Sequence, residues 1–183
     1  MLRLALCGLL GAAATQLLFF NGLNLTSPID ASIIITSIPV MVLIFSAFIL
    51  KEKITLNKLL GITIGGIGAV LLIWYGNTAE GTSSFLGNLL VFLNACCYGL
   101  YLVIVKPLMK KYNSITLISW VFLFGFAFMF PFGISDLLST DFSSFDLNTY
   151  LVITFVVIFT TFFAYLFNIY ALNYVSPSVN SSY

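Results

Sequence analysis

The sequence predicts an all-α, polytopic membrane helical bundle. Three observations carry that reading. The chain is 61% hydrophobic, 16% aromatic and only 7% charged, against about 25% charged in an ordinary soluble domain, and its mean hydropathy is +1.12. Apolar stretches of spanning length recur along it. The few charges sort by sign onto alternate connections between those stretches.

A spanning helix needs about 20 mostly apolar residues. Six segments meet this: about Leu4–Asn24, Ala31–Leu50, Leu56–Tyr75, Ser84–Val105, Ile115–Ser135 and Asn148–Asn173. Ser27-Pro28-Ile29-Asp30 opens the second as an N-cap, a proline in the first turn and an acid that favours the positive end of the helix dipole. Lys51-Glu52-Lys53 closes it. Gly61, Gly65 and Ala69 give the third a small-residue face suited to close helix approach. Gly65-Gly66-Ile67-Gly68 follows no strand, so it is no nucleotide loop. Residues 77–83 form the linker to the fourth segment. Lys106 to Asn113 separates the fourth from the fifth, and Asp136 to Asp146 the fifth from the sixth.

Arg3, Lys51, Lys53, Lys58, Lys106, Lys110 and Lys111 all fall on one side of this arrangement. Asp30, Glu80, Asp136, Asp141 and Asp146 fall on the other, and only Glu52 joins the basic side. Lys and Arg are retained in the cytoplasm during insertion. The expected N-terminus is therefore cytoplasmic, and the expected location is a plasma membrane of bacterial inner-membrane type. Arg3, the apolar run after it and Ala12-Ala13-Ala14 also fit a secretory leader; the internal copy described next argues for a retained span.

Gly22-Leu-Asn-Leu-Thr-Ser-Pro-Ile-Asp-Ala-Ser32 returns as Ala171-Leu-Asn-Tyr-Val-Ser-Pro-Ser-Val-Asn-Ser181, with Leu, Asn, Ser, Pro and the final Ser coinciding at an offset of 149. Each copy closes an apolar segment. Five spans separate the copies, and an odd number forces inverted topology. Inverted repeats are how many secondary carriers build two-sided access around one site. At this offset the fourth segment's counterpart would precede Met1 and the second's would follow Tyr183. The sequence thus reads as the middle of a protein of about ten spans. Residues 1–76 would be the last three helices of one repeat and 84–183 the first three of the next.

Histidine is absent, which excludes Ser–His and Cys–His nucleophile pairs and imidazole metal sites. Cys7, Cys96 and Cys97 lie in apolar stretches without CxxC-type spacing and read as buried small hydrophobes. No metal, no cofactor and no nucleic-acid partner is expected. An intramembrane enzyme would need a nucleophile with its base, or paired acids, at membrane depth, and none is visible.

Polar residues at membrane depth tend to face the bundle interior. Asn94, Tyr98 and Tyr101 form one stripe at helical spacing, Thr161, Tyr165 and Asn168 a second, and Ser32, Thr36 and Pro39 a third. Gln16 stands near the middle of the first segment, and the repeat offset pairs it with Tyr165. The candidates for a substrate pathway are Gln16, Thr36, Asn94, Tyr98, Tyr165 and Asn168; ordinary interhelical hydrogen bonding is the competing reading. Pro39 cannot donate to the Ile35 carbonyl and bends its helix, as a hinge or a tolerated kink. Glu52 between Lys51 and Lys53 reads as an ion pair on the cytoplasmic side.

Ala31-Ser32, Pro39 within the helix, Lys51-Glu52-Lys53, Leu60-Gly61-Ile62 and Gly65-Gly66-Ile67-Gly68-Ala69-Val70-Leu71-Leu72 together resemble the EamA domain of the drug/metabolite transporter superfamily. The resemblance implies ten helices in two inverted five-helix repeats, of which this chain would supply the third to eighth. It also implies carriage of amino acids, metabolites, nucleotide sugars or drugs. With no acid or base inside a span, the expectation is a carrier of small neutral or zwitterionic metabolites working by exchange or uniport, with the bilayer and a small-molecule substrate as partners. The alternative is a truncated, non-transporting membrane protein or assembly partner.

Overall fold

The computed structural model describes residues 1–52, 56–75 and 84–181. Helix α1 spans Leu2–Leu23, α2 Pro28–Ile49, α4 Phe85–Lys110, α5 Ser114–Ser139 and α6 Leu147–Ala171. Between α2 and α4 lies α3, Leu56–Tyr75, and a short α7, Pro177–Asn180, follows α6. Among the described residues, 5 helices (α1, α2, α4, α5 and α6) are long and apolar enough to cross a membrane, against the six spans expected. The remaining expected segment forms α3, with the same bounds. The linker 77–83 lies outside the described residues.

Two connections differ from the sequence reading. Lys106–Lys110 continues α4 as a 3-10 turn. Helix α5 runs past Asp136 to Ser139, carrying Pro131 within it. The connection between α5 and α6 is accordingly shorter. It holds a 3-10 turn, Phe142–Ser144, started by Asp141, and Asp146, whose side chain accepts from the Thr149 N–H at the start of α6.

Helix α4 is the centre of the bundle. It packs along α1 and α2, while α5 packs on α1 and α6 on α5. The core joins Leu4 and Cys7 of α1, Val42 of α2, Tyr101, Leu102, Val103 and Val105 of α4, Leu117, Ile118 and Val121 of α5, and Ile169 and Leu172 at the end of α6. Small residues allow these approaches. A Cβ on Gly8 would stand 2.5 Å from Phe124 Cβ and 2.9 Å from the Gly125 N and the Val121 O, so α1 and α5 cross backbone to backbone. The glycine face of α3 is used differently from the expectation. Gly65 abuts Val40, whereas Gly61 has nothing within 4 Å of where a Cβ would sit.

Two features recur at the repeat offset. Ser27 and Ser176 hold the same extended backbone, φ −75 ψ 148 and φ −73 ψ 155, each with proline opening the helix that follows. Helix α1 contains a π-helical stretch at Leu9–Ala14, and adding 149 places that stretch inside the π-helical stretch of α6, Val156–Phe163. The two copies of the repeat dock at opposite ends of α4. The Leu25 carbonyl accepts from the Ser84 N–H at 2.9 Å and from the Ser84 hydroxyl at 2.8 Å. At the other end Lys106 Nζ donates to the carbonyls of Leu172 and, at 2.8 Å, Val175.

Candidate functional site

The π-helical stretch of α1 sets the geometry of the site. An i→i+5 turn widens the helix and changes which carbonyls remain for side chains, a feature frequent at functional sites. Here two side chains bond to carbonyls of the stretch. The Thr15 hydroxyl donates to the Ala12 carbonyl at 3.0 Å. The Tyr165 hydroxyl of α6 donates to the Gly11 carbonyl at 2.6 Å. Gly11 is required there because the Tyr101 ring lies on it, with ring atoms 2.5 Å from the position of an added Cβ.

Next to this stretch is a cavity of about 270 Å³, lined by Thr15, Gln16 and Phe19 of α1, Ile35 and Ile38 of α2, Asn94 and Tyr98 of α4 and Tyr165 of α6. None of these side chains is charged. Tyr98, Tyr101 and Tyr165 form an aromatic cluster at its base, with ring centroids 5.8 to 6.3 Å apart. Tyr101 is fully buried and its hydroxyl has no hydrogen-bond partner among the described residues. Gln16 and Asn94 line the same cavity. Their carboxamides make no hydrogen bond among the described residues, so each presents a donor and an acceptor to whatever fills the space.

Four of the six residues expected on the pathway, Gln16, Asn94, Tyr98 and Tyr165, therefore line one cavity. The other two stand apart from it. Thr36 is exposed and its hydroxyl donates to the Ile33 carbonyl at 2.6 Å. Asn168 accepts from the Asn180 amide at 2.9 Å, joining α6 to α7. Thr15, Phe19, Ile35 and Ile38 were not singled out from sequence. The small-residue run Gly11 to Ala14 before Thr15 is the signal that could have found the first two.

Pro39 lies within the second half of a broken helix. The break itself is at Thr36–Ser37, where the Thr36 and Ser37 N–H groups turn back to the Ile33 and Ile34 carbonyls at 3.1 and 2.9 Å. Ile35 and Ile38 flank the break, and both face the cavity. At the basic end, Glu52 Oε2 accepts from the Ser178 hydroxyl at 3.1 Å. Lys51 is exposed, with left-handed backbone at φ 55, and Lys53 lies outside the described residues. Cys7 is buried and Cys96 and Cys97 half-buried, all as free thiols. No group of metal-ligating side chains occurs among the described residues.

A family model described as the EamA-like transporter family matches residues 1–74 and 85–183. An uncharacterized transporter of Archaeoglobus fulgidus is 35% identical over 136 residues, covering 74% of this chain and 46% of that protein. The uncharacterized transporter YyaM of Bacillus subtilis is 27% identical over 161 residues, covering 87% and 53%. A probable terminal-alkyne amino-acid exporter of Streptantibioticus cattleyicolor is 28% identical over 128 residues, covering 70% and 42%. The chain spans about half the length of the curated relatives it matches. No solved structure matches it.

Proposed function

The chain belongs to the EamA-like transporter family, and from that premise we propose that it forms the substrate-binding region of a carrier of small neutral or zwitterionic metabolites, amino acids among them, working by alternating access. The observation that carries this is the uncharged cavity lined by the carboxamides of Gln16 and Asn94, which make no hydrogen bond among the described residues. Two carboxamides offer paired donors and acceptors that suit a polar, uncharged or internally neutralised group. Phe19, Ile35 and Ile38 on the same wall suit an apolar remainder. Buried polar groups left unpaired are costly, so a ligand that completes them gains affinity and discriminates against one that does not. The relative named as an amino-acid exporter supports the same substrate class.

In this reading α3 is the sixth span, and the chain comprises the third to eighth helices of an inverted five-plus-five repeat, divided as 1–76 and 84–183 about the linker 77–83. The matched π-helical stretches and Ser-Pro helix starts support the repeat. The basic end would face the cytoplasm of a bacterial inner membrane. A cavity without an acid or base has no embedded proton relay, so exchange or uniport is the mode expected.

The test is reconstitution into liposomes loaded with an unlabelled neutral amino acid, followed by uptake of the labelled compound. Counterflow is expected without a pH gradient, and it should fall at least about tenfold on Gln16→Ala or Asn94→Ala, the scale of one lost charge-free hydrogen-bond set in a closed site. Accumulation that requires a pH gradient would overturn the mode. Flux indifferent to both substitutions would overturn the site. No flux with any neutral solute would favour a non-transporting assembly partner.

A further inference from the structure

A second cavity, of about 450 Å³, opens at the basic end of the bundle, lined by Leu50, Lys106, Pro107, Met109, Lys110, Leu172 and Asn173. It is separate from the polar cavity and shares no residue with it. Two lysines stand in a wall that is otherwise mostly apolar. Among the described residues no carboxylate pairs with either. The one described acid at this end, Glu52, is engaged by the Ser178 hydroxyl. Lys106 already donates to the carbonyls of Leu172 and Val175, and an ammonium has three donors, so one remains for a ligand. Lys110 is exposed and makes no hydrogen bond among the described residues.

We infer that this cavity binds an anionic glycerophospholipid, with the phosphate between Lys106 and Lys110 and the upper acyl chain along Leu50, Met109 and Leu172. Basic pockets between helices at one membrane face are suited to lipid headgroups. The apolar wall is what separates this ligand from a free phosphate, which would gain nothing from Leu50, Met109 or Leu172. Lys106 also holds the connection between α6 and α7, and α7 in turn meets Glu52 at the end of α2. A bound headgroup would therefore brace the junction of α2, α4 and α6. The inference stands apart from the transport reading, because lipid retention is measured without any flux.

The experiment is native mass spectrometry of the full chain in detergent, titrated with phosphatidylglycerol or phosphatidylcholine of the same acyl chains, in parallel with thermal melting. Phosphatidylglycerol should be retained one to one and raise the melting midpoint, and phosphatidylcholine should not. Lys110→Gln should weaken retention about fivefold, the scale of one lysine near an anionic headgroup, and Lys106→Gln with Lys110→Gln more. Lys111→Gln, an exposed lysine outside the cavity, should leave retention unchanged. Lys110→Gln removes no hydrogen bond among the described residues, so it remains informative if the Lys106 variant fails to fold. Equal retention of both lipids, or retention indifferent to Lys110→Gln, overturns the inference. Displacement of phosphatidylglycerol by inorganic phosphate at matched concentration also overturns it, and would assign the cavity to a soluble anion.

Discussion

The Tyr165 hydroxyl donates to the Gly11 carbonyl at 2.6 Å, joining positions 154 residues apart. The bond ties α6 to the π-helical stretch of α1, beside the polar cavity. Tyr165→Phe keeps the ring, with its contacts to Tyr98, Tyr101 and Phe122, and removes only the donor. The expected loss is about 1 kcal/mol, between the average polar pair in a membrane and an orphaned buried carbonyl. Denaturant-induced loss of helix in mixed micelles measures it. A variant as stable as the parent would show that the Gly11 carbonyl finds another donor.

The crossing of α1 and α5 leaves no room for a methyl group at Gly8, where the nearest atoms include the backbone of Val121 and Gly125. Backbone cannot swing aside as a side-chain tip can. Gly8→Ala is expected to destabilise by about 1–3 kcal/mol, the usual range for overpacking. Gly61→Ala is the opposite case, since open space surrounds that position; it should stabilise by up to about 1 kcal/mol through helix propensity. Melting of the two variants side by side checks both signs. Equal shifts would mean that helix propensity, rather than the crossing, decides the cost.

Helix positions were legible because burial in lipid demands long apolar runs, and a run is visible in one dimension. Segments expected at Leu56–Tyr75 and Ile115–Ser135 emerge as Leu56–Tyr75 and Ser114–Ser139. Ends were less legible. Asp136 read as loop, yet a single acid at a helix end costs little where it can reach water. The site was half legible. Gln16, Asn94, Tyr98 and Tyr165 are polar at depth and announce themselves, but Ile35 and Ile38 look like any lipid-facing residue. They flank the break at Thr36–Ser37, and the π-helical stretch that carries Gly11 has no sequence mark beyond the small residues Gly11 to Ala14. Thr36 and Asn168 do not line this cavity for a related reason: helical spacing gives a face but not the depth at which neighbours close over it.

The connection between α5 and α6 carries a pH dependence. The Ser143 hydroxyl and N–H hold Asp141 below the usual carboxylate range, and the Thr149 hydroxyl and N–H do the same for Asp146. A depressed folded pKa contributes stability that is present above the unfolded value and is lost as pH falls through the folded one. The caps are therefore expected to hold at neutral pH and fray only below the ordinary carboxylate range. Amide exchange over residues 142–150, corrected for intrinsic rates, should rise there. Asp146→Asn keeps an N-cap oxygen without the charge, so its exchange at the start of α6 should be flat across the same interval. Fraying that persists unchanged in that variant would place its cause elsewhere.

Pro39 tests whether the break in α2 is part of the cavity or incidental to it. The break is at Thr36–Ser37, and Pro39 has no N–H for the Ile35 carbonyl. Pro39→Ala supplies that donor and allows the two halves of α2 to join. Stability should rise, but by less than the roughly 3 kcal/mol that an interior proline costs a helix, because Pro39 stands in the first turn after the break. Joining the halves would also rotate Ile35 and Ile38 relative to one another, and both line the cavity. The expected outcome is thus a higher melting midpoint together with reduced counterflow. Higher stability with full counterflow would identify the break as a tolerated kink. Lower stability would mean that neighbouring helices, rather than the missing N–H, hold α2 bent.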